Sequence, residues 1–213
     1  MCIRDSFPTA GQSQSFALQV AGPGSSLTYS KLTYRHKYFK PIFDGRFVLG
    51  FRGEIGALEP YGDTEVAPFF EHYYAGGISS VRGFKQNTLG PRAIPSQFYL
   101  DNEGNPITGD DGNPILNPYS YYRDDRSIGG AYLIEGGFDF IFKLPFIEDQ
   151  RSMRSSFFVD IGNVFSKDCG IDQSNINCSE LDLGELRYSY GVGVTWITQL
   201  GPMSLAIAAP SNE

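Results

Sequence analysis

Between Ala131 and Leu144 one alternate set of positions reads Tyr132, Ile134, Gly136, Phe138, Phe140, Phe142 and Leu144, and the other set includes Glu135, Gly137, Asp139 and Lys143. A period of two is the mark of a strand, whose successive side chains point to opposite faces. The same two-sided pattern returns three times. Phe47, Leu49, Phe51 and Ile55 oppose Arg46, Arg52 and Glu54; Phe157, Val159, Ile161 and Phe165 oppose Arg154, Ser156, Asp160 and Gly162. Leu186, Tyr188, Tyr190, Val192, Val194 and Trp196 oppose Glu185, Arg187, Ser189, Gly191, Gly193 and Thr195. A soluble sandwich alternates too. These strands, however, run well beyond the usual ~5–6 residues. Their polar faces mix opposite charges with glycine, and their apolar faces turn aromatic toward the ends, which is how a membrane-spanning barrel is patterned.

Connection lengths support a barrel. KPIFDG (40–45), PFIEDQRSM (145–153) and TQLGP (198–202) are short, whereas 61–126 and 166–184 are long. Short turns at one end and long loops at the other fit an outer-membrane barrel; GPGSS, between the first two strands, is short for the long-loop side. The expected fold is all-β: an antiparallel meander of about seven strands near 12–21, 26–40, 45–59, 129–144, 154–165, 185–198 and 202–209, with a long connection over 61–126. Seven strands cannot close in lipid, where unpaired edge groups cost several kcal/mol each. The chain is therefore expected to be part of a larger barrel.

High aromatic content (15%) and 25 glycines agree with this class, and a net charge of −7 without a basic patch argues against nucleic acid as a partner. MCIRDSF is not a signal peptide, since no apolar run follows its Arg. Residues 1–6 are read as a non-native leader and 7–213 as the barrel part. Cys169 and Cys178 share the polar segment SKDCGIDQSNINCSE and are expected to close a short disulfide loop in an oxidising compartment, the alternative being two free thiols; Cys2 has no candidate partner. NEGNPI (102–107) and DDGNPI (110–115) recur eight residues apart. They lack the ligand spacing of a calcium loop and read as two Gly-Asn-Pro turns. The two histidines fit no metal spacing. His36 is expected at a strand end near the membrane interface, and His72 in loop packing. No catalytic, cofactor-binding or metal-binding set stands out, so a non-enzymatic protein without a cofactor is expected.

One stretch resists this plain reading. GGISSVRGFKQNTLG (76–90) places Arg82 between Val81 and Gly83–Phe84 in a polar loop, without the spacing of a phosphate-binding loop. Here the motifs become specific. PFFEHYYAGGISSVRGFKQNTLGPR (68–92) resembles the hallmark loop of the BamA family of outer-membrane barrel assembly factors. That loop carries F-Y-A-G-G, then V-R-G-F, then T-x-G-P; Tyr73–Gly77, Val81–Phe84 and Thr88–Pro91 match, with Tyr73 in place of Phe. FPTAGQ (7–12), SSFFVDIGNVF (155–165) and LGPMSLAIAAP (200–210) resemble flanking strand motifs of the family in the same order. TamA and the two-partner secretion transporters share only the R-G-F/Y core, and with a passive pore they form the alternative reading.

The resemblance implies a sixteen-stranded barrel preceded by POTRA domains, of which this chain holds about strands nine to fifteen. It implies ATP-independent folding and insertion of β-barrel proteins into the bacterial outer membrane. Implied partners are unfolded outer-membrane substrates, accessory lipoproteins and membrane lipid. It also implies a loop folded into the lumen, with Arg82 paired to Asp139 and Asp160 on the inner wall. Asp139 stands where the family often has Glu. Parity independently puts both acids on the polar face. Gly83 would supply a backbone conformation closed to other residues, Val81 and Phe84 would pack the tip, and Tyr74, Gly76 and Gly77 would support the loop.

Overall fold

The computed structural model describes residues 7–22, 24–64, 67–93, 98–101, 105–109, 111–117, 126–143, 153–167, 176–177, 181–198 and 201–211. Cys169 and Cys178 lie outside them, as does residue 2. In chain order the strands are β1 (Gly11–Ala21), β2 (Tyr29–Ile42), β3 (Phe47–Pro60), β4 (Arg92–Ala93), β5 (Arg126–Ser127), β6 (Tyr132–Phe142), β7 (Met153–Phe165), β8 (Ile176–Asn177), β9 (Arg187–Thr198) and β10 (Gly201–Pro210). Seven of them form one sheet in the order β1-β2-β3-β6-β7-β9-β10, every neighbouring pair antiparallel. The expected meander is present, and it belongs to the all-β class. The short β4, β5 and β8 form a separate three-stranded sheet, which the sequence pattern did not signal.

Two strands start three residues later than the pattern placed them. β2 opens at Tyr29 because Ser25 spends its backbone N–H on Gly22 and its hydroxyl on the Leu27 carbonyl, closing a turn. β6 opens at Tyr132 because Gly130 exchanges both backbone hydrogen bonds with Tyr73 of the long connection, at 2.9 and 3.1 Å. Alternation sees a strand's faces; it cannot see which partner a glycine's backbone has taken.

The sheet has one exposed apolar face. Phe16, Phe51, Ile55, Phe138, Phe157, Val159, Tyr190, Leu205 and Ile207 all lie on it, several more than half exposed. At its short-turn end the rings of Phe47 and Phe140 stack at 5.1 Å, and those of Phe142 and Phe157 at 5.0 Å. A continuous apolar surface this large is unfavourable against water and favourable against lipid. Among the described residues no helix is long and apolar enough to cross a membrane. His36 lies on this face in the middle of β2, between Tyr34 and Phe51, and not at a strand end as expected. Its charged neighbours Arg35 and Lys37 point to the opposite face and had suggested a terminus.

The opposite, inner face holds the core. Leu58, Val81, Ala75, Val164, Leu89 and Leu133 are buried in one cluster with Tyr29 and Tyr73. This cluster joins the long connection to the strand wall. Farther along that connection the GNP repeat does more than turn. Ile107 N–H donates to Tyr99 O, Ile115 N–H to Ile107 O and Tyr99 N–H to Ile115 O, at 2.8, 2.8 and 3.0 Å. The eight-residue spacing thus brings three extended pieces into a closed ring of backbone hydrogen bonds.

Candidate functional site

The connection after β3 returns along the inner face. A 3-10 turn, Phe69–Glu71, opens the return. The Glu71 carboxylate accepts from Gln19 and Tyr29 and pairs with Lys31 at 3.3 Å, while Lys31 Nζ also donates to the Glu71 carbonyl at 2.6 Å. Burial pushes the Glu71 carboxyl up, but its hydrogen bonds to Tyr29, Lys31 and Gln19 outweigh that and hold it below the ordinary value. A depressed folded pKa contributes stability that is full above the unfolded value and lost as pH falls through the folded one. Limited proteolysis of segment 61–75 should therefore accelerate on acidification through that window. Glu71→Gln should raise cleavage at neutral pH roughly two- to fivefold, as for other partly exposed ion pairs, and should remove the acid step.

Tyr73 makes the next anchor. Its hydroxyl bonds Thr33 at 2.7 Å and donates to the Leu32 carbonyl at 2.8 Å, with its ring in the notch left by Gly56. Tyr74 is more exposed, and its ring lies over Gly129. The buried aromatic of the tyrosine pair is thus Tyr73. Gly76 and Gly77 follow at φ +103° and +105°. They let the chain turn so that Ala75 bridges Leu89 and Gly77 N–H reaches Val81 O at 3.1 Å. Val81 is fully buried and Phe84 packs against the same cluster.

This frame delivers Arg82 to the wall. Arg82 Nε donates to Asp160 Oδ2 at 2.6 Å and Nη2 to Oδ1 at 2.8 Å, a two-pronged contact, and the Arg82 backbone N–H adds a third bond at 3.1 Å. Arg82 Nη1 pairs with Asp139 Oδ1 at 3.0 Å. The guanidinium lies over the Phe158 ring, 3.5 Å from its centre, which adds a cation–π attraction. Burial alone would lower the Arg82 pKa; Asp160 and Asp139 outweigh it and hold the group above its ordinary value. Gly83 follows at φ +93°, where a Cβ would lie 3.1 Å from Ala208 Cβ and 3.3 Å from Ser189 Cβ. Only glycine combines that backbone with so close an approach.

Arg52 is the member that the sequence did not single out. Its Nη2 pairs with Asp160 Oδ1 at 2.7 Å and donates to the Ser80 carbonyl at 2.7 Å, and its Nη1 lies 3.8 Å from Asp139. Arg52, Gly137, Asp160 and Ser189 occupy one cross-strand row on β3, β6, β7 and β9. Two strand spacings separate Arg52 from Asp160, roughly 9.6 Å. The guanidinium crosses that gap over Gly137, where a Cβ would sit 2.7 Å from Asp160 Oδ1 and 2.8 Å from Arg52 Nε. Asp160 is wholly buried and takes charge from two arginines. Two guanidiniums and two carboxylates make the cluster neutral, as burial demands. Glu135, on the same inner face, accepts from the Ser80 hydroxyl, which in turn accepts from Gly76 N–H at 3.0 Å. The parity of β3 and β6 had placed Arg52 and Glu135 on the polar face, but nothing in the sequence says which polar residues a returning loop will meet. His72 Nδ1 lies 2.8 Å from the Ile128 carbonyl, within the loop base.

Among the described residues no group of His, Cys, Asp and Glu could hold a metal ion. The arrangement is a mechanical lock: a charged loop tip fixed to β6 and β7 by ion pairs and to β3 by the hydrogen bond from Arg52 to the Ser80 carbonyl.

Comparison with known proteins gives a consistent picture. Residues 4–213 match the Omp85 superfamily domain. The chain is 32% identical to the outer membrane protein assembly factor BamA of Neisseria meningitidis serogroup B (strain ATCC BAA-335 / MC58), over 97% of this chain and 24% of that protein. It superposes on the crystal structure of BamA from Haemophilus ducreyi lacking POTRA domains 1-3 with a TM-score of 0.75, at 27% identity, over 99% of this chain and 37% of that one. The chain thus spans about a quarter of the length of the curated relative.

Proposed function

The chain belongs to the Omp85 superfamily, and from that membership we propose that it forms the loop-bearing part of the barrel of an outer-membrane protein assembly factor. Its site is the bacterial outer membrane, with the apolar outer face of the sheet against lipid. Its work is to promote the folding and insertion of other β-barrel proteins. The partners on this reading are unfolded outer-membrane proteins, accessory assembly lipoproteins and the surrounding lipid. The work requires no bond-making chemistry from this chain. What it contributes is a rigid wall with a loop fixed against it.

The observation that carries the reading is the seating of Arg82 on Asp160 and Asp139 by a loop that leaves β3 and returns along the inner face. The loop's own backbone N–H is committed to the wall as well.

Arg82→Ala tests it in the parent protein. Loss of one partner of a buried pair costs ~3–5 kcal/mol. The variant should show faster protease cleavage within 76–90 and should fail to support growth when the wild-type copy is depleted. Arg82→Lys keeps the charge but loses the fork and should recover only part of the function. Faster cleavage with fully normal growth would overturn the assembly role while leaving the lock intact.

A further inference from the structure

Beside the lock lies a cavity of about 210 Å³, whose lining includes Lys37, Phe39, Arg52, Arg82, Asp139 and Arg154. Its charge is unequal. Four cations face it. The two carboxylates in reach, Asp139 and Asp160, are paired with Arg52 and Arg82, and Asp139 also attracts Arg154 without forming an ion pair with it. Lys37 and Arg154 remain. Among the described residues neither forms an ion pair with a carboxylate. Arg154 instead gives one N–H to the Pro8 carbonyl at 3.1 Å and lies against the rings of Phe39 and Phe7, 5.2 and 5.8 Å from their centres. An incompletely hydrated guanidinium with donors to spare is costly without an anion.

We propose that this cavity is a binding site for a phosphate-class oxyanion, held by Arg154 and Lys37, with Thr195 and Ser156 also in its lining. Three features favour that chemistry. The planar fork of Arg154 matches two phosphate oxygens at once. Lys37 supplies a second point charge. A pocket whose lining carries four cations against one carboxylate, with Phe39 and Ile141 as apolar walls, concentrates a counter-ion. The site is distinct in role from the lock, whose charges already cancel.

The test measures chemical modification of Arg154 by phenylglyoxal, read by peptide mass spectrometry, on the purified full-length parent protein in lipid nanodiscs. Added inorganic phosphate should protect Arg154 saturably in phosphatidylcholine discs, which assigns the site to free phosphate. Protection that appears only in phosphatidylglycerol discs, without added phosphate, assigns it to a lipid headgroup. Lys37→Gln should raise the protecting concentration about tenfold, the loss of one charge-assisted contact. Circular dichroism should confirm that this variant is folded. Absence of protection under both conditions, or protection unchanged in folded Lys37→Gln, overturns the proposal.

Discussion

Asp160→Ala is expected to release the loop and destabilise the strand wall together, by about 3–5 kcal/mol or more. The reason is how much converges on this one buried carboxylate. Arg82 delivers three hydrogen bonds to it, and Arg52 a fourth contact at 2.7 Å. Removing it leaves two guanidiniums close together, with only Asp139 between them. The measurement is heat-modifiability on semi-native gels, by which folded barrels migrate apart from unfolded ones, alongside protease mapping of 76–90. A double-mutant cycle sharpens the result. Asp160→Ala combined with Arg82→Ala should cost much less than the sum of the single changes, because the two share one interaction. Strict additivity would mean that the contact carries no coupling energy.

Gly137→Val should produce a loss of similar kind without touching a charge. A Cβ at this position meets Asp160 Oδ1 at 2.7 Å and the Arg52 guanidinium at 2.8 Å. The branched side chain would fill the one gap in the cross-strand row through which Arg52 reaches Asp160. Arg52 must then withdraw, taking its hydrogen bond to the Ser80 carbonyl with it. The expected loss is ~1–3 kcal/mol from overpacking, and more if Asp160 is left short of a partner. Gly53→Ala serves as the control, since that position faces outward and its nearest atoms lie at 3.6 Å. If Gly137→Val and the control behave alike in thermal melting of the folded band, the row does not transmit the contact.

Much of the fold could be read from alternation. The long strands were legible because one face of most of them is largely apolar, as in Tyr132 to Phe142. Arg82, Asp139 and Asp160 were legible for two separate reasons: parity put the acids on the inner face, and the V-R-G-F motif marked the arginine. Arg52 and Glu135 were on the right face and still escaped notice. Parity assigns a side, and register assigns neighbours, and register between strands such as β3 and β7 is fixed only once β6 is paired between them. Gly137 was invisible for the same reason. A glycine in a strand says that something approaches closely but not what. The ring through Tyr99, Ile107 and Ile115 had a visible trace in the GNP repeat, but its closure depends on three segments meeting at once.

The separation along the chain between the two halves of the lock has a kinetic meaning. Arg82 and Asp160 stand 78 residues apart. The acid cannot be presented until β6 and β7 have been made and paired, and the loop cannot seat before it is presented. The lock is therefore expected to close late, after those strands have paired. Contacts absent from the transition state leave the rate of folding nearly unchanged and govern the rate of unfolding. On that order Arg82 is a latch on the finished wall: Arg82→Ala should speed unfolding more than it slows folding, which measuring both rates would check.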